Sequence, residues 1–108
     1  MSWNTEAIIF VGYKLPQDVW TKGLEFCDAH PDILPDYEDY FIDMDPVVGD
    51  GETFFGSIIF HIDDYAPAAE LSSINAGDET IDILTTSFQR IFPDVQSTYK
   101  KYVGIRWI

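Results

Sequence analysis

Six acidic side chains lie within sixteen residues of this chain: Asp32, Asp36, Glu38, Asp39, Asp43 and Asp45. No lysine or arginine falls among them, but Ile33, Leu34, Tyr37, Tyr40, Phe41, Ile42 and Met44 do. Carboxylates in such numbers can do three kinds of work. They can bind a divalent metal, share an acid/base reaction, or present negative charge to a cationic partner.

The metal option fails its best test. Asp43, Asp45, Asp50 and Glu52 sit in DMDPVVGDGE, but an EF-hand loop needs an oxygen ligand at its fifth position and glycine at its sixth. Those positions hold Val47 and Val48, so no metal or cofactor is expected. Catalysis has no better footing. No nucleophile elbow, zinc-protease helix or phosphate loop is present. His30 precedes Pro31 and reads as a helix-end residue, and His61 alternates with Ile59 and Asp63 on a strand. Paired carboxylates are too abundant here to single out a glycosidase-like couple. The chain is therefore expected not to be an enzyme.

The third option is favoured by how charge is distributed. The 108 residues carry 19 acids against six bases, a formal net charge of −13. Lys14 and Lys22 precede residue 23, and Arg90, Lys100, Lys101 and Arg106 follow residue 89. Between them run 67 residues with no lysine or arginine, which hold 16 of the 19 acids. Charge that merely aids solubility needs no such segregation. Direct binding to nucleic acid or an anionic membrane is disfavoured, because both require cationic surface.

If 37–45 is a strand, Asp39, Phe41, Asp43 and Asp45 share one face and Tyr40, Ile42 and Met44 the other, toward the core. Alternate residues on a strand face stand about 6.6–7 Å apart, close to the roughly 6–7 Å between phosphates along a nucleic-acid strand. Asp32, Asp36, Asp50, Glu52, Asp63 and Asp64 would extend that row from flanking loops, with Tyr37 and Phe41 as apolar anchors and Glu38 counted among the partner-binding residues. In size, charge balance and charge layout the chain resembles DNA-mimic inhibitors such as phage anti-restriction and anti-CRISPR proteins; no motif carries the likeness. The resemblance implies a basic nucleic-acid-binding target, a nuclease or CRISPR effector, reached in the host cytoplasm. An immunity protein against a nuclease toxin would use the same physics. From a different class, a small-ligand-binding or dimerising regulatory module also fits. The plainest alternative is an acidic sheet edge with no partner.

The elements that must hold these residues form one domain, 1–108. With 46% hydrophobic and 16% aromatic residues the chain is built to fold. Cys27 is the only cysteine, so no internal disulfide forms, and it reads as a buried apolar side chain. No basic leader or long apolar run marks a signal peptide or a membrane span.

Strands are expected over 6–15, 37–45, 52–63 and 97–108, and helices over 16–30 and 79–92. A short helical turn is expected between Pro67 and Ile74, and Asp78 as the cap of the second helix. The order β-α-β-β-α-β is that of a ferredoxin-like sandwich: a four-stranded antiparallel sheet, order 4-1-3-2, with two helices on one face. The other sheet face would carry Phe41, Phe55, Ile59, His61 and Tyr102. It would then be open to a second copy, unless the 64–80 segment covers it.

Overall fold

A computed structural model describes residues 5–44, 52–62 and 71–107. The chain runs β1 (Thr5–Leu15), α1 (Gln17–Ala29), a 3-10 turn (Tyr37–Tyr40), β2 (Phe41–Met44), β3 (Glu52–Ile62), a second 3-10 turn (Leu71–Ser73), α2 (Asp78–Ile91) and β4 (Lys100–Trp107). The strands form a four-stranded antiparallel sheet, hydrogen-bonded in the order β2-β3-β1-β4, and with the two helices make an α+β fold. None of the described helices is long and apolar enough to cross a membrane.

Each helix begins and ends where its sequence dictates. Pro16, with φ −56°, opens α1 and accepts the Trp20 N–H at 3.0 Å. Its missing N–H costs nothing there. The helix stops at His30, whose N–H reaches the Phe26 and Cys27 carbonyls, because Pro31 disfavours helical backbone before it. In α2 the cap is Gly77, not Asp78 as expected. Asp78 and Glu79 sit instead in the first turn and Arg90 in the last, which complements the helix dipole at both ends.

Both helices pack on one face of the sheet. Val11, Tyr13 and Leu15 from β1 and Phe55 from β3 meet Cys27 from α1 and Leu84, Phe88 and Ile91 from α2. The rings of Tyr13 and Phe88 stack at 3.8 Å between centroids. The Trp20 indole N–H donates to the Phe54 carbonyl at 3.0 Å and ties α1 to β3. Phe55 and Leu84 have no exposed surface, and burying a side chain of that size contributes roughly 1.5–3 kcal/mol. Cys27 is 1% exposed, as its apolar setting suggested; burial, then the Asp28 charge, pushes its thiol up, away from the reactive thiolate.

The opposite face differs from expectation. Phe41, Phe55 and Ile59 point toward the helices, and the far side is lined by Ile8, Phe10, Ile42, Met44 and Phe54, with Ile58 and Tyr102 against them. Ile8, Phe10 and Phe54 are all 2% exposed or less, so these strands do not present the open aromatic platform read from the sequence. Of the 64–80 segment, residues 64–70 lie outside the described residues.

Backbone geometry lets the sheet coil toward this side. Gly12 has φ +151°, and an added Cβ would stand 2.2 Å from the Phe55 carbonyl oxygen; one on its partner Gly56 would stand 2.2 Å from the Val11 oxygen. The two backbones approach as only glycines allow. A register shift at Ile9/Phe10, which leaves Ile59 as the extra residue, adds local twist. The Met44 methyl then reaches from β2 toward β4, to 2.6 Å from where a Cβ on residue 104 would sit.

Gly12→Ala should therefore destabilise the fold by roughly 3 kcal/mol or more, since it combines a forbidden backbone angle with a backbone clash. Urea unfolding of the variant beside Gly77→Ala, whose Cβ meets nothing within 4 Å, measures it. Equal loss in the two would show that the Gly12–Gly56 approach carries no constraint.

Candidate functional site

The segment from Asp28 to Asp43 leaves the end of α1, crosses toward α2 and enters β2. Residues 37–40, expected as strand, form a 3-10 turn instead. The reason lies in three aromatic side chains. Tyr37, Tyr40 and Phe41 all pack against the helix-side core, and their i, i+3, i+4 spacing puts three residues on one side only in a helical turn. Tyr40 stacks on Phe55 with centroids 6.1 Å apart, and Phe41 meets Phe55 at 5.3 Å and Trp20 at 5.8 Å. Phe41 is thus an inward anchor, opposite to its expected orientation, while Ile42 and Met44 face the far side of the sheet.

Asp36 begins the turn in the left-handed region, φ +56° and ψ +36°. Aspartate tolerates that conformation better than most residues. Its carbonyl accepts the Asp39 N–H at 3.0 Å. Asp32, Asp36, Glu38 and Asp39 are all exposed, and so is Asp43 on β2. Among the described residues none of these five carboxylates forms an ion pair. Glu52 does, with Lys14 at 3.4 Å, but both side chains are more than half exposed and the pair contributes little. Asp45, Asp50, Asp63 and Asp64 lie outside the described residues. The straight row at strand pitch therefore does not run through Asp39; Asp36, Glu38 and Asp39 come together around the turn.

Two concavities open on this segment. One, of about 300 Å³, is lined by Pro31, Asp36, Tyr37, Glu38 and Asp39. The other, of about 540 Å³, lies between the segment and α2, with apolar walls from Ile33, Leu34 and Ile83 and the carboxylates of Asp36 and Asp82. Asp36 belongs to both. Leu34, 5% exposed, pins the segment to the core. No three acid, histidine or cysteine side chains among the described residues are grouped as metal ligands would be.

Asp28 and Asp82 belong to this surface but were not picked out from sequence. Asp28 closes α1, at the negative end of a helix with no basic residue in its last turn. The Tyr37 hydroxyl donates a hydrogen bond to its carboxylate, linking the helix end to the turn. That bond first, then burial and the surrounding negative charges, pushes the Tyr37 phenol up to about 12.

The contact's contribution is present below the unfolded-state pKa of 10.0 and is lost as pH rises through about 12, because ionising the phenol removes the donor and sets like charges together. Ultraviolet titration of the wild type minus that of Tyr37→Phe should show a tyrosinate forming near pH 12, and Asp28→Asn should move it toward 10. A Tyr37 titration unmoved by Asp28→Asn would dismiss the link.

Compared with known proteins, the chain matches no family model, no curated protein and no solved structure.

Proposed function

We propose that the chain is a non-enzymatic acidic inhibitor that occupies the nucleic-acid-binding surface of a basic protein. The observation that carries this reading is the group Asp32, Asp36, Glu38, Asp39 and Asp43, exposed and without cationic partners among the described residues. Keeping like charges together opposes folding. Packing of Leu34, Tyr40 and Phe41 beneath them offsets that opposition. A surface built at such a cost suits a target whose cleft evolved for phosphates, which gains both steering and register from it.

A phage anti-defence protein acting on a nuclease or CRISPR effector in the host cytoplasm is the most concrete form; an immunity protein against a nuclease toxin would use the same face. The fold reading goes with it. The element order β-α-β-β-α-β, and a strand order that reads 4-1-3-2 from the β4 edge, support a ferredoxin-like sandwich, with the coil at Gly12 and Gly56 as its departure from a flat sheet.

Capture from host lysate at low and high salt tests the function. The expected partner is a basic nucleic-acid-binding protein, retained at low salt, released at high salt and displaced by DNA. Reversing Asp32, Asp39 and Asp43 together to lysine should weaken capture on the order of a hundredfold while the fold persists. The same reversal at exposed Asp94 and Glu79 should matter far less. Full capture by the triple variant, or a partner without a cationic groove, would sink the reading.

A further inference from the structure

The two edges of the sheet are guarded very differently. β2 is four residues long and carries the exposed Asp43. β4 is eight residues long and has no proline, and among the described residues it is hydrogen-bonded to β1 alone. Val103 and Ile105 on β4 are 56% and 60% exposed, the highest values for large apolar side chains among the described residues. They stand two apart, so they share one face of the strand. Tyr102 fixes which face that is. It points the other way and stacks on Phe10 at 5.3 Å, on the side where the Met44 methyl lies over Gly104. Two β-branched side chains held out to water, beside a row of backbone donors and acceptors on an edge, make a template for another strand.

Charge selects the strand that fits. No aspartate or glutamate falls between residues 95 and 107, which hold Lys100, Lys101 and Arg106, three of the six bases in a chain of net charge −13. Two copies repel each other over most of their surfaces. At β4 the bases of each copy instead face the net negative charge of the other. A basic target of the acidic group would be repelled at the same place. We propose that β4 pairs antiparallel with β4 of a second copy, joining the two sheets into one.

The register follows from the pairing rules. Opposed residues in an antiparallel ladder direct their backbone groups at each other, so a twofold pair of identical strands has its axis at a residue and not between two. With the axis at Gly104, Val103 lies opposite Ile105 of the other copy and Ile105 opposite its Val103. Tyr102 then lies opposite Arg106, Lys101 opposite Trp107, and no base opposes a base. An axis at Val103 would set Lys100 against Arg106, and like charges directly opposite are destabilising. An axis at Tyr102 or Ile105 would part Val103 from Ile105 and shorten the ladder. A twofold pairing uses the edge of both copies and stops at the dimer.

The pairing uses none of the exposed acids and goes beyond the inhibitor reading. Sedimentation velocity of the full chain, from about 10 μM to about 1 mM, tests it. The expected result is a monomer–dimer equilibrium that tightens as salt rises, because screening weakens the repulsion between the two acidic bodies. Val103→Glu and Ile105→Lys, each alone, should weaken the dimer about tenfold or more. An equimolar mixture of the two variants should restore it, since the register sets the new carboxylate of one against the new ammonium of the other. Val103→Thr together with Ile105→Thr, which keeps the β-branched shape, should also weaken the dimer about tenfold with unchanged circular dichroism. A monomer at every concentration, growth past the dimer, a dimer indifferent to Val103→Glu, or a mixture that stays monomeric would each overturn the proposal. Capture of a basic target loosens with salt while this dimer tightens, so failure of either reading shows apart from the other.

Discussion

Phe55 is the side chain on which the rest of the molecule leans. It has no exposed surface, and its ring meets those of Tyr40, Phe41, Phe88 and Phe92 at centroid distances between 5.3 and 6.4 Å. Those rings come from the acidic turn, from β2, and from α2 and the Phe92 that caps it. Aromatic pairs at such separations contribute about 0.5–1.5 kcal/mol each beyond their buried area. A segment rich in like charge has no electrostatic reason to stay folded against the protein, so apolar packing must hold it. Phe55 is where that packing converges.

The same arrangement explains why charge and burial interleave so tightly between Asp32 and Asp43. Each acid has an apolar neighbour that is drawn inward: Leu34 beside Asp36, Tyr37 and Tyr40 around Glu38 and Asp39, Ile42 next to Asp43. The inward residues fix the backbone and leave the carboxylates little freedom in where they project. A disordered acidic tail would offer equal charge with no fixed geometry and would lose entropy on binding. Here much of that ordering is complete before any partner arrives, which is the condition for shape-selective recognition.

Most of the secondary structure was legible in the sequence, because hydrophobic periodicity and proline positions mark it directly. Pro16 and Pro31 bracket α1, Pro93 follows α2, and alternation in β1 correctly separated Val11 and Tyr13 from Ile8 and Phe10. The acidic turn was misread because strand alternation was extended through Tyr37–Tyr40, although Tyr37, Tyr40 and Phe41 already carried helical spacing. That one-register error reversed Phe41, Ile42 and Met44. Gly12 and Gly56 could each be noticed alone, but their mutual approach is a property of strand pairing and leaves no local mark. For the same reason the sequence does not show that Asp82 lines a cavity with Asp36: α2 meets the turn only after the chain has folded back on itself.

The central position of β1 also bears on the order in which the protein assembles. Thr5 pairs with Trp107 and Ala7 with Ile105, so the earliest strand cannot be hydrogen-bonded along both sides until the latest has appeared. Pairing of such distant segments closes large loops, and folding dominated by non-local contacts is slow. On the ribosome the edge of β1 that runs through Ile8, Ile9 and Phe10 stays unpaired until β4 has been made. A nascent chain that carries this much negative charge repels its own copies during that interval, so the acidity suited to a cationic target would also guard the unfinished sheet against aggregation.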